Sequence, residues 1–273
     1  TANKDVVAQY GKDMFDAAEK SDVDFMFEAS VGGGIPIITP LKQCLTANRI
    51  TEVIGIVNGT TNYMLTKMSE EDVSYDEALK SAQEKGYAEA DPTADVEGID
   101  AARKTAILAS IAFNSRVTLD KVSIEGITKI TPEDIAYAKE LGYVVKLLSV
   151  SRENENGIDV RVHPTLLPYT HPLAFVRNEF NAIFVRGNAV GETMFYGRGA
   201  GRGLVLLVGG NTVGISVSPL RHPYLNQRRQ LFAPKRLGQI IVGTELQSLD
   251  AVFHLVACGQ EQHWHLQAAL AQR

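Results

Sequence analysis

The apolar positions of this chain change rhythm several times, and each change predicts an element. "DMFDAAEK" has helical spacing, whereas "DFMFEASV" is a short apolar run with strand character. "GGGIPIITPL", Gly32 to Leu41, is a glycine turn that leads into a proline-punctuated segment. "TEVIGIVN" is a β-branched strand that ends in the polar turn "NGTTN". Helical spacing follows over Tyr63 to Met68, Ser74 to Lys85 and Val96 to Phe113. Ser74 and Glu77 have capping-box spacing, and Gly86 stands where a helix C-terminal glycine would. "VSIEGI" predicts a strand. In "TPEDIAYAKELG", Thr131 as cap, Pro132 in the first turn and Gly142 at the end predict a helix. "YVVKLLSVSRE" and "GIDVRVHPTLL" are strands joined through "NENG", a hairpin signal. "NAIFVRG" and "GETMFYG" form another pair of strands around "GNAVG".

Strands and helices alternate without a strict βαβ period. The fold class expected is α/β, with a mixed sheet and helices. After Gly201 the composition shifts. Residues 202–273 hold seven basic and three acidic residues, a net charge of +4, which leaves −9 for residues 1–201. Read plainly, that tail is a small second domain.

With 273 residues, the chain is long enough for one large or two modest domains. The net charge of −5 gives no basis for nucleic-acid binding. No apolar run is long enough to span a bilayer, and the N-terminus has no signal-peptide pattern. Cys44 and Cys258 make no framework, so a reducing, cytoplasmic setting is expected. The start at Thr1, without methionine, points to a fragment.

The chemistry concentrates in "EKGYAEADPTADVEGIDAARK", Glu84 to Lys104. Asp100 and Lys104 are one helical turn apart. On a solvated helix that pair would contribute only a few tenths of a kcal/mol. This helix is apolar on most sides, with Leu108 and Ile111 on one face and Ile99, Ala102, Ala106, Ala109 and Phe113 on another. A lysine on such a helix needs a partner, and Asp100 is placed to be one. Ahead of it, Glu89, Asp91 and Asp95 crowd a loop broken by Pro92. Such carboxylates form either a solvated loop or a site for a cationic group such as a substrate ammonium. Other candidates are weaker. "GGGIPI" lacks dinucleotide-fingerprint spacing. "YGRGAG" is a phosphate-cradling turn or a tight loop. "HWH" at His263 to His265 has no third zinc ligand, and His163 and His171, each before a proline, read as loop residues.

"TANK", "EASVGGGIPII", "GIVNGTTNYML", "GYAEADPTADVEGIDAARK", "HPLA" and "YGRGAG" occur in this order, and together they resemble homoserine dehydrogenase. The resemblance covers residues 1–201. It implies an NAD(P)-dependent oxidoreductase that interconverts L-homoserine and L-aspartate 4-semialdehyde in threonine and methionine biosynthesis. It also implies a remnant of a Rossmann nucleotide-binding domain over residues 1–30, and a catalytic, substrate and dimerisation domain over residues 31–201. A homodimer or higher homo-oligomer follows. Residue by residue, it implies that Lys104 is the catalytic proton donor and acceptor and that Asp100 accompanies it. Glu89 would hold the substrate amino group, with Asp95 a further substrate-side carboxylate. Lys4 would lie between cofactor and substrate, and Gly86 and Gly201 where backbone approaches the cofactor. Main-chain oxygens at Glu28, Val31, Gly33 and Ile35 would hold a sodium ion.

Two departures accompany the resemblance. The family's glycine-rich βαβ start would lie upstream of "TANK", so a truncated, non-catalytic homologue that binds substrate or dimerises without turnover is the alternative. After Gly201, "RGLVLLVGGNTVG" replaces the expected continuation. "LVLLV" can be encoded so that reading two bases later gives Cys-Pro-Thr-Gly, which resembles that continuation. On this reading residues 202–273 are an out-of-frame, disordered tail.

Overall fold

The computed structural model describes residues 1–199. Helix α1 (Lys4–Lys20) starts where the Asn3 side chain accepts from the backbone N–H groups of Asp5 and Val6, at 3.0 and 3.2 Å. This is an N-cap of the ordinary kind. The run after it does not form the expected strand, because no neighbouring strand pairs with it. Phe25 and Phe27 instead pack edge-on against Phe15 of α1, with ring centroids 5.3 and 5.5 Å away. A strand needs a ladder partner to satisfy its backbone, and apolar side chains alone do not provide one.

Six strands make one mixed sheet: β1 (Ile50–Ile56), β2 (Ser123–Ile124), β3 (Tyr143–Asn154), β4 (Gly157–Pro168), β5 (Phe180–Gly187) and β6 (Gly191–Arg198). Their spatial order is β2-β4-β3-β1-β5-β6. Only β2 runs parallel to its neighbour, and the other pairs are antiparallel. Both expected hairpins form, β3 with β4 and β5 with β6. "VSIEGI" contributes only two strand residues. His163 lies within β4 rather than in a loop, opposite Leu148 of β3. Its proline neighbour is tolerated because β4 meets only the two-residue β2 on its outer side.

One face of the sheet carries Val53, Val145, Leu147, Val160, Val162, Ile183 and Val185, and the helices pack there. They are α2 (Gly59–Glu71), α3 (Tyr75–Glu84), α4 (Thr93–Val96), α5 (Ile99–Ala112) and α6 (Pro132–Glu140). Capping boxes start α3, at Ser74 and Glu77, and α6, at Thr131 and Asp134. The other face carries Ile54, Ile56, Leu148, Val150 and Phe184, under the segment that holds Leu173 and Val176.

The helix expected over Val96 to Phe113 forms as α5 from Ile99, and Val96 instead ends the separate α4. Gly98 between them has φ +80°, a left-handed conformation that continues neither α4 nor α5. The turn at Gly126 packs against this break closely enough that a Cβ on Gly126 would lie 2.2 Å from the Val96 carbonyl oxygen. Beyond the break, α5 packs beneath the sheet, with Ala102, Thr105, Leu108 and Ala109 fully buried.

Candidate active site

The end of β1, the starts of α1, α2 and α5, and α4 meet at one charged cluster. Asp100, in the first turn of α5, is 5% exposed. Lys104 lies one turn later on the same face, and its Nζ donates to Asp100 Oδ2 at 2.6 Å. A second Lys104 N–H goes to the carbonyl of Val57 at 2.8 Å, just past the last residue of β1. The other Asp100 oxygen, Oδ1, faces the Lys4 ammonium at 2.8 Å. Lys4 is delivered by the docking of α1 on α5, which the Arg103–Asp5 pair reinforces at 2.7 Å.

Asn58 completes the cluster. As N-cap of α2, its Oδ1 accepts from the Thr61 N–H at 2.9 Å. Its Nδ2 donates to Asp95 Oδ1 at 2.7 Å and to Asp100 Oδ2 at 2.9 Å. Asp100 thus receives two ammonium groups and an amide, which is what a buried carboxylate requires.

The electrostatics follow from these contacts. Burial alone would push the Asp100 carboxyl up. The adjacent Lys104 charge and the hydrogen bonds from Lys104, Lys4 and Asn58 outweigh it and hold the group down at about 2. Asp95 goes the other way: burial raises it and the charge of Asp100 adds to the rise, only partly offset by the Asn58 hydrogen bond. For Lys4, burial opposes the charged form, but the hydrogen bond to Asp100 and its charge raise the pKa overall.

The structure therefore brings together four of the residues singled out in the sequence: Lys4, Asp95, Asp100 and Lys104. Glu89 stays outside this hydrogen-bonded group, on the exposed loop after α3. That loop is tethered to the start of α2 through Thr60, whose hydroxyl donates to the Tyr87 carbonyl at 2.7 Å. Gly86 takes φ +73°, and a Cβ there would meet nothing within 4 Å, while its N–H donates to the Gln83 carbonyl at 3.0 Å. Gly201, the "HWH" histidines and the expected tail lie outside the described residues. Asn58 was not singled out in the sequence. Its only local signal is the "NGTTN" turn, which reads as a helix cap.

Around the glycine turn, the Glu28 carboxylate is fully engaged. It accepts from the N–H groups of Ile37, Ile38 and Thr39 at 2.6, 2.8 and 2.8 Å, and from the Thr39 hydroxyl at 2.6 Å. The carbonyls of Val31, Gly33 and Ile35 accept no hydrogen bond among the described residues, and that of Glu28 receives only a 3.5 Å contact from the Val31 N–H. Neutral main-chain oxygens with unused lone pairs are the donor chemistry of a hard cation. Among the described residues no three His, Cys, Asp or Glu side chains group as metal ligands. A cleft of about 420 Å³ opens elsewhere, between α1 and the C-terminal half of α5. It is lined by Val7, Phe15, Ile107 and Ile111 and includes none of the charged cluster. No helix among the described residues is long and apolar enough to cross a membrane.

A family model described as homoserine dehydrogenase matches residues 36–204. The homoserine dehydrogenase of Bacillus subtilis (strain 168) is 56% identical over 201 residues, covering 74% of this chain and 46% of the relative. That of Synechocystis sp. is 50% identical over 234 residues, covering 83% and 54%. A crystal structure of a homoserine dehydrogenase from Thiobacillus denitrificans superposes with a TM-score of 0.72 at 52% identity, over 74% of this chain and 47% of that one. A hyperthermophilic archaeal homoserine dehydrogenase in complex with NADPH gives 0.64 at 30% identity, over 74% and 58%. The chain spans about half the length of the curated relatives it matches.

Proposed function

The chain belongs to the homoserine dehydrogenase family, and from that premise we propose that it supplies the substrate and proton-handling side of a reaction interconverting L-homoserine and L-aspartate 4-semialdehyde. The observation that carries this reading is the pair of the half-buried Lys104 with the buried Asp100, and a second ammonium, Lys4, on the same carboxylate.

The chemistry asks for such a group. During reduction of the aldehyde, negative charge builds on the carbonyl oxygen, and a positioned ammonium stabilises it and gives it a proton. Lys104 has that role. Two of its hydrogens are committed to Asp100 and the Val57 carbonyl, which leaves one for the reacting oxygen. In the oxidative direction the neutral amine at the same Nζ takes the hydroxyl proton. Asp100 remains an anion throughout, because its carboxyl is held at about 2, and so it orients Lys104 without competing for the proton. Lys4 balances the second Asp100 oxygen and lies on the cofactor side. Glu89 and Asp95 hold the substrate ammonium, which sets the distance to Lys104 before transfer.

NAD or NADP would supply the hydride chemistry when bound. The open space beside Gly86 and the Lys4 ammonium support a cofactor in this place, and Gly201 belongs to the same proposed set. For a sodium ion, the unused carbonyls of Val31, Gly33 and Ile35, with that of Glu28, support the main-chain site. We assign residues 1–30 to the nucleotide-binding part and residues 31–201 to the catalytic part. A homodimer through the catalytic part is supported by apolar surface at Leu166, Phe175 and Tyr196, each more than half exposed.

The test is turnover. Purified protein supplied with NADP⁺ or NAD⁺ is expected to show an absorbance rise that depends on L-homoserine. D-homoserine, or a hydroxy acid without the amino group, is expected to give little. Equal rates with the deaminated analogue would remove the ammonium-binding role and the substrate with it.

A further inference from the structure

Asn58 is the neutral member of the charged cluster, and its side chain is used to capacity. Its Oδ1 accepts from both the N–H and the hydroxyl of Thr61, at 2.9 and 3.0 Å. Its amide nitrogen has two hydrogens and two acceptors, Asp95 Oδ1 at 2.7 Å and Asp100 Oδ2 at 2.9 Å. The orientation of the amide is fixed, because the opposite one would set its NH₂ against the Thr61 N–H.

The two carboxylates it joins come from different helices. Asp95 is in α4 and Asp100 in α5, and the chain between them turns through the left-handed Gly98. Helical periodicity does not fix their spacing. The amide bridge does, and it is anchored in turn to the start of α2 by the cap. An uncharged bridge has a further consequence. A cation there would compete for Asp100 with Lys104, and a carboxylate would repel both anions, whereas an amide holds both acids and leaves the Lys104 pair intact.

On the substrate assignment made above, we infer that Asn58 is a positioning residue that holds Asp95 and Asp100 in one register, so that the substrate ammonium and the Lys104 proton lie at a fixed separation. The signature of this role differs from that of a helix cap. Serine caps a helix about as well as asparagine does, yet it has no amide hydrogens for the carboxylates. Asn58→Ser therefore keeps the cap and removes the bridge.

The experiment has two arms. The carboxyls of Asp95 and Asp100 are titrated by ¹³C NMR in wild type and N58S. Homoserine oxidation is measured in the holoenzyme of each. Loss of donors to an ionised carboxylate favours its protonated form, so both groups are expected to titrate at higher pH in N58S. Turnover is expected to fall about tenfold or more, with the cofactor KM unchanged. Asn58→Asp keeps the cap and the side-chain volume but sets a third anion in the cluster. It is expected to move both titrations further in the same direction, and it carries the test if N58S does not fold. Unchanged titrations and turnover in the variants, beside an active wild type, would overturn the positioning role alone. A wild type that neither turns over L-homoserine nor binds it in a direct binding titration would overturn the substrate assignment, and with it the part of this inference that concerns the substrate ammonium.

Discussion

Replacing Asp100 with asparagine keeps the shape of the side chain and removes the anion that Lys4 and Lys104 share. The cost can be worked from the structure. A carboxyl held at about 2 instead of 3.8 contributes about 2 kcal/mol of folding stability at neutral pH. The substitution also leaves two ammonium groups facing a neutral amide. Removing one partner of a buried ion pair costs about 3–5 kcal/mol. Because the Lys4 side chain is 36% exposed and can turn to water, the lower end applies here. We therefore expect Asp100→Asn to lose about 3 kcal/mol at pH 7. The pH dependence has a definite sign. The folded carboxyl titrates below the unfolded one, so the folded state binds fewer protons in that range. The contribution is complete above the ordinary value of 3.8 and is lost as the pH falls towards about 2. Urea denaturation of both proteins at a series of pH values measures the difference directly, and the acid sensitivity of carboxyls away from the cluster cancels from it; Asp95, which burial and the Asp100 charge raise, does not cancel. The gap between wild type and D100N is expected to be constant from pH 7 to about 5 and to narrow below that. A gap that keeps its full size down to about pH 2.5, or is absent at pH 7, would show that the Asp100 charge does not stabilise the fold.

Two other substitutions separate substrate contacts from packing. Glu89→Gln is expected to raise the KM for homoserine well above any change in the cofactor KM; constants that move together would make Glu89 structural. Leu108, fully buried on α5 beneath the sheet, is expected on change to alanine to lose about 2–5 kcal/mol of stability, read as a lower urea midpoint with an unchanged slope.

How much of this was legible in the sequence depended on the range of the interactions involved. The caps at Ser74 and Thr131 and the two hairpins involve near neighbours, and turn residues announce them. The Asp100–Lys104 pair was equally local, one helical turn apart. The apolar helix around it is what marked it as buried. The break at Gly98 was missed because a glycine inside a helical pattern lowers helix stability without forbidding the helix. The failed strand around Phe25 had the right side chains, but pairing is decided by distant chain, and the sheet order that puts β1 between β3 and β5 is non-local in the same way. Lys4 reaches Asp100 across 96 positions, through the docking of α1 on α5. Asn58 was invisible for a different reason. Locally it is a good cap, and its second task exists only once α4 and α5 have been folded against it. Lys146 makes the same point. Inside the apolar run "YVVKLL" it looks misplaced, yet it is buried and donates to Asn62 Oδ1 and the Val176 carbonyl, at 2.9 and 2.5 Å.

On the proposed function, Lys104 moves the proton in homoserine oxidation. The most direct measurement is single-turnover formation of reduced nicotinamide from L-homoserine by the wild-type holoenzyme and by Lys104→Ala, with cofactor affinity measured separately on both. Lys104→Ala is expected to lose about two or more orders of magnitude in the rate of the chemical step, with cofactor binding little changed. A variant that forms reduced cofactor at close to the wild-type rate would contradict it.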